Sequence, residues 1–285
     1  MTHPEPQSAV WTVIRPKGRW FDLRLRELWS YRDLVGLFVR RDFVAQYKQT
    51  ILGPLWHVVY PLLTTVTFTI VFGRIARIST DSLPPFLFYL SGNVLWGYFN
   101  NSFTKTSNTF VSNANVFGKV YFPRLAVPLS TLGSSLIGFL IQFAIFLGFL
   151  AYFMARGAPV DPNAWALATP LLLLPMAGLG LGGGIILSAL TTRYRDLTSV
   201  VTFGVSLLMY LTPIVYPLSA VPEAYRGIVM INPLTPIVEA FRFAFLGVGT
   251  VSVPHLAYTA VVTIATLFFG VLIFNRVERT FMDTV

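Results

Sequence analysis

Long apolar stretches separated by short polar segments dominate this sequence. Six stretches lack Asp, Glu, Lys and Arg and have about the 20 residues that a helix needs to cross the ~30 Å hydrocarbon core of a bilayer. The third and fourth exceed that length, so we expect them to tilt or to extend past the membrane surface. The pattern predicts an all-α integral membrane protein with six transmembrane helices. The predicted spans are 55–72, 86–103, 126–155, 164–192, 197–216 and 256–275.

The segment between the fifth and sixth spans is too apolar for a solvated loop. Four prolines interrupt residues 218–254, and the apolar runs between them are too short to cross a membrane singly. We therefore predict that this segment forms an external re-entrant helical hairpin, broken at Asn232 and Pro233. Glu239 and Arg242, three residues apart, are expected to pair on one face of its second half. Charges at this depth are functional candidates, although a purely structural pair fits equally well.

Apolar and charged residues alternate from Trp20 to Arg32, ahead of the first span. This composition predicts an amphipathic helix at the cytoplasmic interface, with basic side chains facing anionic headgroups. A simple positively charged anchor is the alternative. Because no linker divides the rest of the chain, we predict an interface segment at 1–54 and one membrane domain at 55–285.

Composition and charge both favour a membrane protein. Hydrophobic residues make up 54% of the chain and charged residues 12%, whereas a soluble domain has about a quarter charged. The net charge of +9 follows the predicted loops, with 16 Lys and Arg on one side of the membrane and 5 on the other. The positive-inside rule places both termini in the cytoplasm, and we expect no nucleic-acid partner.

Several kinds of chemistry lack the residues that they need. There is no cysteine, and His3, His57 and His255 are far apart, so we predict no metal site. No GxxxxGK[ST] motif is present to bind nucleotide, and the glycines at 178–184 lie in an apolar span where they favour close helix packing. The predicted spans contain no carboxylate, which argues against a proton- or sodium-coupled carrier. We expect no catalytic site and no cofactor in this chain, and a separate partner that drives transport.

Polar and aromatic residues recur at helical spacing in three predicted spans. This spacing places the members of each set on one helix face. Aromatic rings and hydrogen-bonding groups suit a path for carbohydrate, and interhelical hydrogen bonds with aromatic belts explain the pattern equally well. The candidate path residues are Tyr60, Thr64 and Phe68 in the first span, Tyr89, Asn93, Trp96, Asn100 and Phe103 in the second, and Tyr210 in the fifth.

Four segments carry a family resemblance that extends over nearly the whole chain. They are RRDFVAQYKQTILGPLWHVVYPLL at 40–63, NVFGKVYFPRLAVPLS at 115–130, RYRDLTSVV at 193–201 and PIVYPLSAVPEAYRGIVMINPLTPIVEAFRFAFLG at 213–247. In this order they resemble the permease subunits of polysaccharide ABC exporters, which are type-2 ABC permeases.

The resemblance implies a homodimer in the bacterial cytoplasmic (inner) membrane, surrounded by membrane lipids. Each permease would bind a separate nucleotide-binding ATPase, which holds ATP and Mg, and would export lipid-linked O antigen, teichoic acid or a related glycan.

The resemblance also assigns roles to cytoplasmic residues, for which ordinary positive-inside charges are the alternative. Basic groups at the channel entrance would hold a lipid diphosphate by charge-assisted hydrogen bonds. The segment 105–124 would contact the ATPase. The entrance candidates are Arg40, Arg41, Tyr47 and Lys48, and the coupling candidates are Lys105, Lys119 and Arg124.

Two other functions are compatible with parts of this pattern. A type-2 exporter of drugs or small lipids would have a lateral pocket in place of a continuous hydrated channel. A membrane-embedded glycosyl- or lipid-modifying enzyme would need convergent carboxylates or a metal set, and the acidic residues here are scattered along the sequence.

Overall fold

The computed structural model describes residues 25–48, 50–51, 53–117, 122–193 and 196–280, and within them it contains helices and connecting segments without a strand. Short 3₁₀ turns precede two of the long helices, and a π-helix at Thr69–Ile75 continues one of them. The helices are α1 Leu25–Ser30, α2 Arg32–Tyr47, α3 Trp56–Phe68, α4 Pro85–Ser107, α5 Thr109–Phe117, α6 Ala126–Ala155, α7 Thr169–Arg193, α8 Leu197–Leu211, α9 Glu223–Ile231, α10 Thr235–Leu246 and α11 Val253–Thr280.

The prediction of a multi-pass all-α membrane protein is confirmed by the length and composition of the helices. Four helical segments in the described part are long and apolar enough to cross a membrane. A fifth is obtained if α9 and α10, which meet at a bend of 103°, are counted together. The four segments are Gly53–Ile75, Ala126–Ala155, Ala164–Thr191 and Val253–Arg276.

The fifth predicted span ends earlier than the sequence pattern suggests. Helix α8 stops at Leu211, and Thr212 has an extended backbone with φ −98° and ψ 139°. The cause is Pro213, because a proline ring clashes with a helical conformation of the preceding residue. The helix therefore has 15 residues, where 20 were predicted for 197–216.

Helix α4 occupies the centre of the bundle. It contacts α3, α6, α7, α8 and α10, and most of its side chains from Leu87 to Phe99 are buried. Aromatic rings fill much of the surrounding core, including Phe143 and Phe146 of α6, which pack against Phe241 and Phe245 of α10. This burial explains how α4 can carry polar side chains, because they face protein instead of lipid.

The predicted packing role of the α7 glycines is confirmed. A Cβ on Gly182 would lie 2.8 Å from backbone atoms of α11, and one on Gly184 would lie 2.8 Å from the Phe103 carbonyl oxygen of α4. Gly178 faces Thr263 of α11 in the same way. The absence of side chains thus lets α7 approach α4 and α11 closely on its two sides.

A second aromatic cluster joins the helices at the opposite end of α4 from its start at Pro85. It contains Phe38 of α2, Phe110 and Phe117 of α5, Phe122, and Phe274 of α11. The rings of Phe110 and Phe274 stack with centroids 4.8 Å apart. The short helix α5, which follows α4, is thereby attached to α2 and α11.

Candidate functional site

A polar cavity of about 490 Å³ lies among helices α3, α4, α6 and α8, next to the end of α2. Its volume falls in the range of ligand sites in proteins. It is lined by Gln46, Trp56, His57, Tyr60, Pro61, Thr64, Phe68, Asn93, Trp96, Gly97, Asn100, Asn101, Gln142 and Met209.

Helical periodicity explains how α3 and α4 build most of the cavity wall. Tyr60, Thr64 and Phe68 are separated by four residues each, which keeps them on one face of α3. On α4, Asn93, Trp96 and Asn100 form the opposing face. The structure therefore brings together these six of the nine predicted path residues.

The other three predicted path residues lie outside the cavity. The hydroxyl-bearing ring of Tyr89 is fully buried against Phe68 and Phe72. Phe103 packs against Gly183 of α7, whose Cβ would meet that ring at 2.7 Å. The exposed Tyr210 lies near the end of α8, where its carbonyl oxygen accepts a hydrogen bond from the Tyr216 hydroxyl. The sequence spacing predicts a helix face, and it leaves open which neighbouring helix covers each turn.

Amide side chains are the principal polar groups of the cavity. Asn93 donates from Nδ2 to the Thr65 hydroxyl at 3.0 Å. The Asn100 Oδ1 accepts a hydrogen bond from the Thr104 hydroxyl at 3.2 Å. Gln142 is buried, with 7% of its surface exposed, and it makes no hydrogen bond to any described residue.

Close approach of helices places the Gln142 amide at the cavity. A Cβ on Gly97 would lie 3.2 Å from the Gln142 Oε1, so the glycine leaves room for the amide between α4 and α6. Gly138, one turn earlier on α6, makes space for the His57 ring, whose Cε1 would lie 2.9 Å from a Cβ there.

The described side chains that line the cavity include no Asp, Glu, Lys or Arg. The charged Lys105 lies at the rim of the cavity, where its Nζ donates a hydrogen bond to the Gln46 Oε1 at 3.3 Å. The site can therefore offer hydrogen bonds and aromatic surfaces to a ligand, without a charged partner in its wall.

Sequence reasoning missed several cavity residues, and two of them carried a readable signal. Gln142 is the single Asn or Gln in the predicted span 126–155, and a strongly polar group in an apolar span is a functional candidate by default. His57, near the start of the predicted span 55–72, carries the same signal. Trp56 carries none, because tryptophan is common at the ends of membrane helices.

The predicted entrance residues lie on α2 and just after it, and Arg40, Arg41 and Lys48 are not among the residues that line the cavity. Arg41 pairs with Asp42 at 2.8 Å and donates to Asn113 Oδ1 of α5 at 3.4 Å. Arg40 and Lys48 are exposed. The backbone of Tyr47 belongs to α2, and its side chain lies outside the described residues.

Two of the three predicted coupling residues, Lys105 and Arg124, are described, and they lie before and after α5 in the sequence. Lys105 lies in the last turn of α4, and the Arg124 guanidinium carbon lies 5.5 Å from the centroid of the Phe117 ring. Lys119 falls outside the described residues. The loop that holds these positions thus begins with a short helix attached to the second aromatic cluster.

The expected Glu239–Arg242 pair forms on α10, with Arg242 Nη1 3.8 Å from Glu239 Oε1. Arg242 also donates to the carbonyl oxygens of Pro213 and Ile214, the latter at 2.9 Å. These carbonyls follow the end of α8, where the helix no longer satisfies them. The guanidinium lies 3.8 Å from the centroid of the Phe88 ring. The pair therefore joins α10 to α4 and to the α8–α9 connection.

Comparison with known proteins gives a consistent result. The family model described as ABC-2 type transporter matches residues 33–246. An O-antigen export system permease protein of Klebsiella pneumoniae is 29% identical over 252 residues, covering 88% of this chain and 94% of that protein. A protein with the same description from Myxococcus xanthus is 26% identical and covers 92% and 98% of the two chains. A polysialic acid transport protein of Escherichia coli is 22% identical and covers 86% and 93%. Because the match includes most of the chain and all the helices that build the cavity, this protein belongs to the ABC-2 type transporter family.

Proposed function

We propose that this chain is the membrane-spanning permease of an ABC exporter that moves a lipid-linked polysaccharide across the bacterial cytoplasmic membrane. ATP hydrolysis would occur in a separate subunit, which holds ATP and Mg. The names of the O-antigen and polysialic acid relatives support a polysaccharide cargo. The observation that carries the proposal is the cavity, in which aromatic rings and amides meet between spanning helices.

The cavity chemistry suits a sugar chain. Trp56, Tyr60 and Trp96 offer flat apolar surfaces for the C–H faces of sugar rings. Amide groups both donate and accept hydrogen bonds, as sugar hydroxyls do. A drug or small lipid is mostly apolar, so a pocket for it would need fewer amides. We therefore favour glycan over the drug or small-lipid alternative.

We propose six spans, by adding α4 and the shorter α8 to the four apolar segments. The 15 residues of α8 extend over about 23 Å, and the segment after Leu211 would complete this crossing. Helix α4 has 23 residues, or about 35 Å at 1.5 Å per residue, which is enough for the hydrocarbon core. Polar side chains lower the mean hydropathy of α4, and the helix can carry them because they face protein instead of lipid. An even number of spans would place both termini on the same side of the membrane, and the excess of Lys and Arg on that side would make it the cytoplasm. The bent pair α9–α10 would then be the external re-entrant hairpin.

In this arrangement α5 would receive the motion of the ATPase. It follows α4 on the side that the proposed topology places in the cytoplasm, and Phe110 and Phe117 attach it to α11 and α2. A displacement of α5 would therefore be transmitted to α2 and α11. A homodimer of permeases would supply the second half of a complete exporter.

Co-purification with an ATPase tests the proposal. The tagged permease would be expressed with each candidate nucleotide-binding subunit of the same genome and purified in mild detergent. We expect one ATPase to remain bound and its hydrolysis rate to change when the permease is present. A permease that retains none of the candidates would contradict the proposal. The genes that neighbour the gene of the retained ATPase would decide between the two cargo classes. Glycan-synthesis genes would support a polysaccharide cargo, and drug-export genes would support the alternative.

A further inference from the structure

The Gln142 amide is a buried polar group that lacks a hydrogen-bond partner among the described residues. Its side chain is 93% buried, in the middle of the 30-residue helix α6, and it lines the cavity. Because the amide borders the cavity, whatever fills that cavity can hydrogen-bond to it, water at first and then a transported group.

We propose that this cavity is a subsite for uncharged, hydroxyl-rich sugar units, with Gln142 as a specificity-determining residue. This inference rests on the proposed function and names its substrate class, a neutral glycan. A sugar hydroxyl can accept a hydrogen bond from the Gln142 Nε2 and donate one to its Oε1. Asn101 on the facing helix α4 supplies a second amide to the cavity, and it also makes no hydrogen bond to a described residue.

We expect this lining to disfavour an acidic glycan. A carboxylate or phosphate that enters the cavity loses much of its hydration, and the described wall offers no Lys or Arg to compensate. Lys105 lies at the rim, bonded to Gln46, and so it can meet an anionic group only at the mouth of the cavity. A neutral repeat avoids this desolvation at every step of its passage.

The first test is the charge of the cargo. The gene is deleted in the source bacterium, and the lipid-linked glycan that accumulates inside the cells is isolated and its sugars are analysed. We expect repeats without uronic acid, sialic acid or phosphate substituents. An accumulated glycan with acidic repeats would overturn this inference and leave the proposed function intact. The absence of any accumulated glycan would instead contradict the proposed function.

The second test is the role of the amide. Gln142→Met keeps an unbranched side chain of similar length and removes both hydrogen-bonding atoms, whereas Gln142→Asn keeps an amide. At equal permease abundance, we expect Gln142→Met to lower surface glycan about fivefold to tenfold and Gln142→Asn to lower it less. Thr263→Val, a polar-to-apolar change on α11 away from the cavity, is the control and should export normally. Wild-type export by Gln142→Met would overturn the assignment. Because the glycan analysis needs no variant, the substrate class is tested even if Gln142→Met fails to accumulate.

Discussion

Two buried polar groups among the helices differ in what surrounds them. Arg242 is 1% exposed, and its partners are Glu239, two backbone carbonyls and the face of Phe88, while its Nε makes no hydrogen bond to a described residue. Gln142 is almost as buried, yet it makes no hydrogen bond to a described residue and borders a cavity. The first arrangement is what a structural joint requires, because its charge is compensated inside the protein. The second leaves hydrogen-bonding capacity for a ligand, so the same degree of burial has a different meaning in the two places.

The largest expected effect is that of breaking the Arg242 joint. Arg242→Met leaves Glu239 as an uncompensated buried carboxylate and frees two carbonyls, so we expect a loss of about 3–5 kcal/mol in stability. Membrane abundance and the thermal aggregation temperature in detergent measure it. The double variant Glu239→Gln with Arg242→Met removes the stranded charge and should recover part of the loss. Equal stability of the single and double variants would show that the carboxylate is not the cause.

The next effect concerns the helix contact at Gly182. Its substitution by Ala places a Cβ 2.8 Å from the α11 backbone, which no side-chain rotation can relieve. We expect a loss of about 1–3 kcal/mol, as for other overpacked cores. Gly148→Ala on α6 is the matched control, since nothing lies within 4 Å of its Cβ. If thermal unfolding of both variants matches that of the wild type, α7 and α11 do not approach each other closely at Gly182.

The third effect should appear in transport without a change in stability. Tyr60 is 70% exposed and lines the cavity, so Tyr60→Ala removes an aromatic surface at little packing cost. We expect surface glycan to fall several-fold at unchanged permease abundance, and Tyr60→Phe to keep most of it. Tyr210→Ala, at an exposed tyrosine outside the cavity, should export normally. Equal losses of surface glycan in the two alanine variants would show that lining the cavity does not determine which tyrosine matters for transport.

The smallest effect is expected at an exposed charge. Arg41 pairs with Asp42 at 2.8 Å, and its side chain is 39% exposed. Arg41→Gln should change stability by no more than about 1 kcal/mol, because solvent screens such pairs. The thermal aggregation temperature of this variant is compared with that of Arg242→Met. A comparable fall in the two variants would mean that burial does not govern the cost of losing an arginine here.

The apolar pattern predicted the long helices well, since length and composition alone determine whether a helix can cross a membrane. The limits of α6 were predicted without error at 126–155. The end of α8 was predicted five residues late, although Pro213 offered a local signal in the sequence. Hydropathy is insensitive to a single proline, whereas the backbone of the preceding residue is not.

The cavity was only partly predictable because it depends on how helices face one another. Periodicity placed Asn93, Trp96 and Asn100 on one face of α4, which the structure shows at the cavity. Phe103 has the same spacing and packs on α7, because the glycines of α7 allow a close approach at that turn. The contribution of Gln142 from α6 could not be inferred from spacing, since it depends on the α4–α6 contact at Gly97.

The surface glycan of cells that lack this chain shows most directly whether the chain exports a polysaccharide. The gene would be deleted in the source bacterium and restored on a plasmid, and glycan would be measured outside the cell and on the cytoplasmic side of the membrane. We expect the deletion to remove a polysaccharide from the surface and to leave its lipid-linked form inside, and we expect the restored chain to reverse both changes. An unaltered surface polysaccharide in the deletion strain would rule out this chain as the exporter.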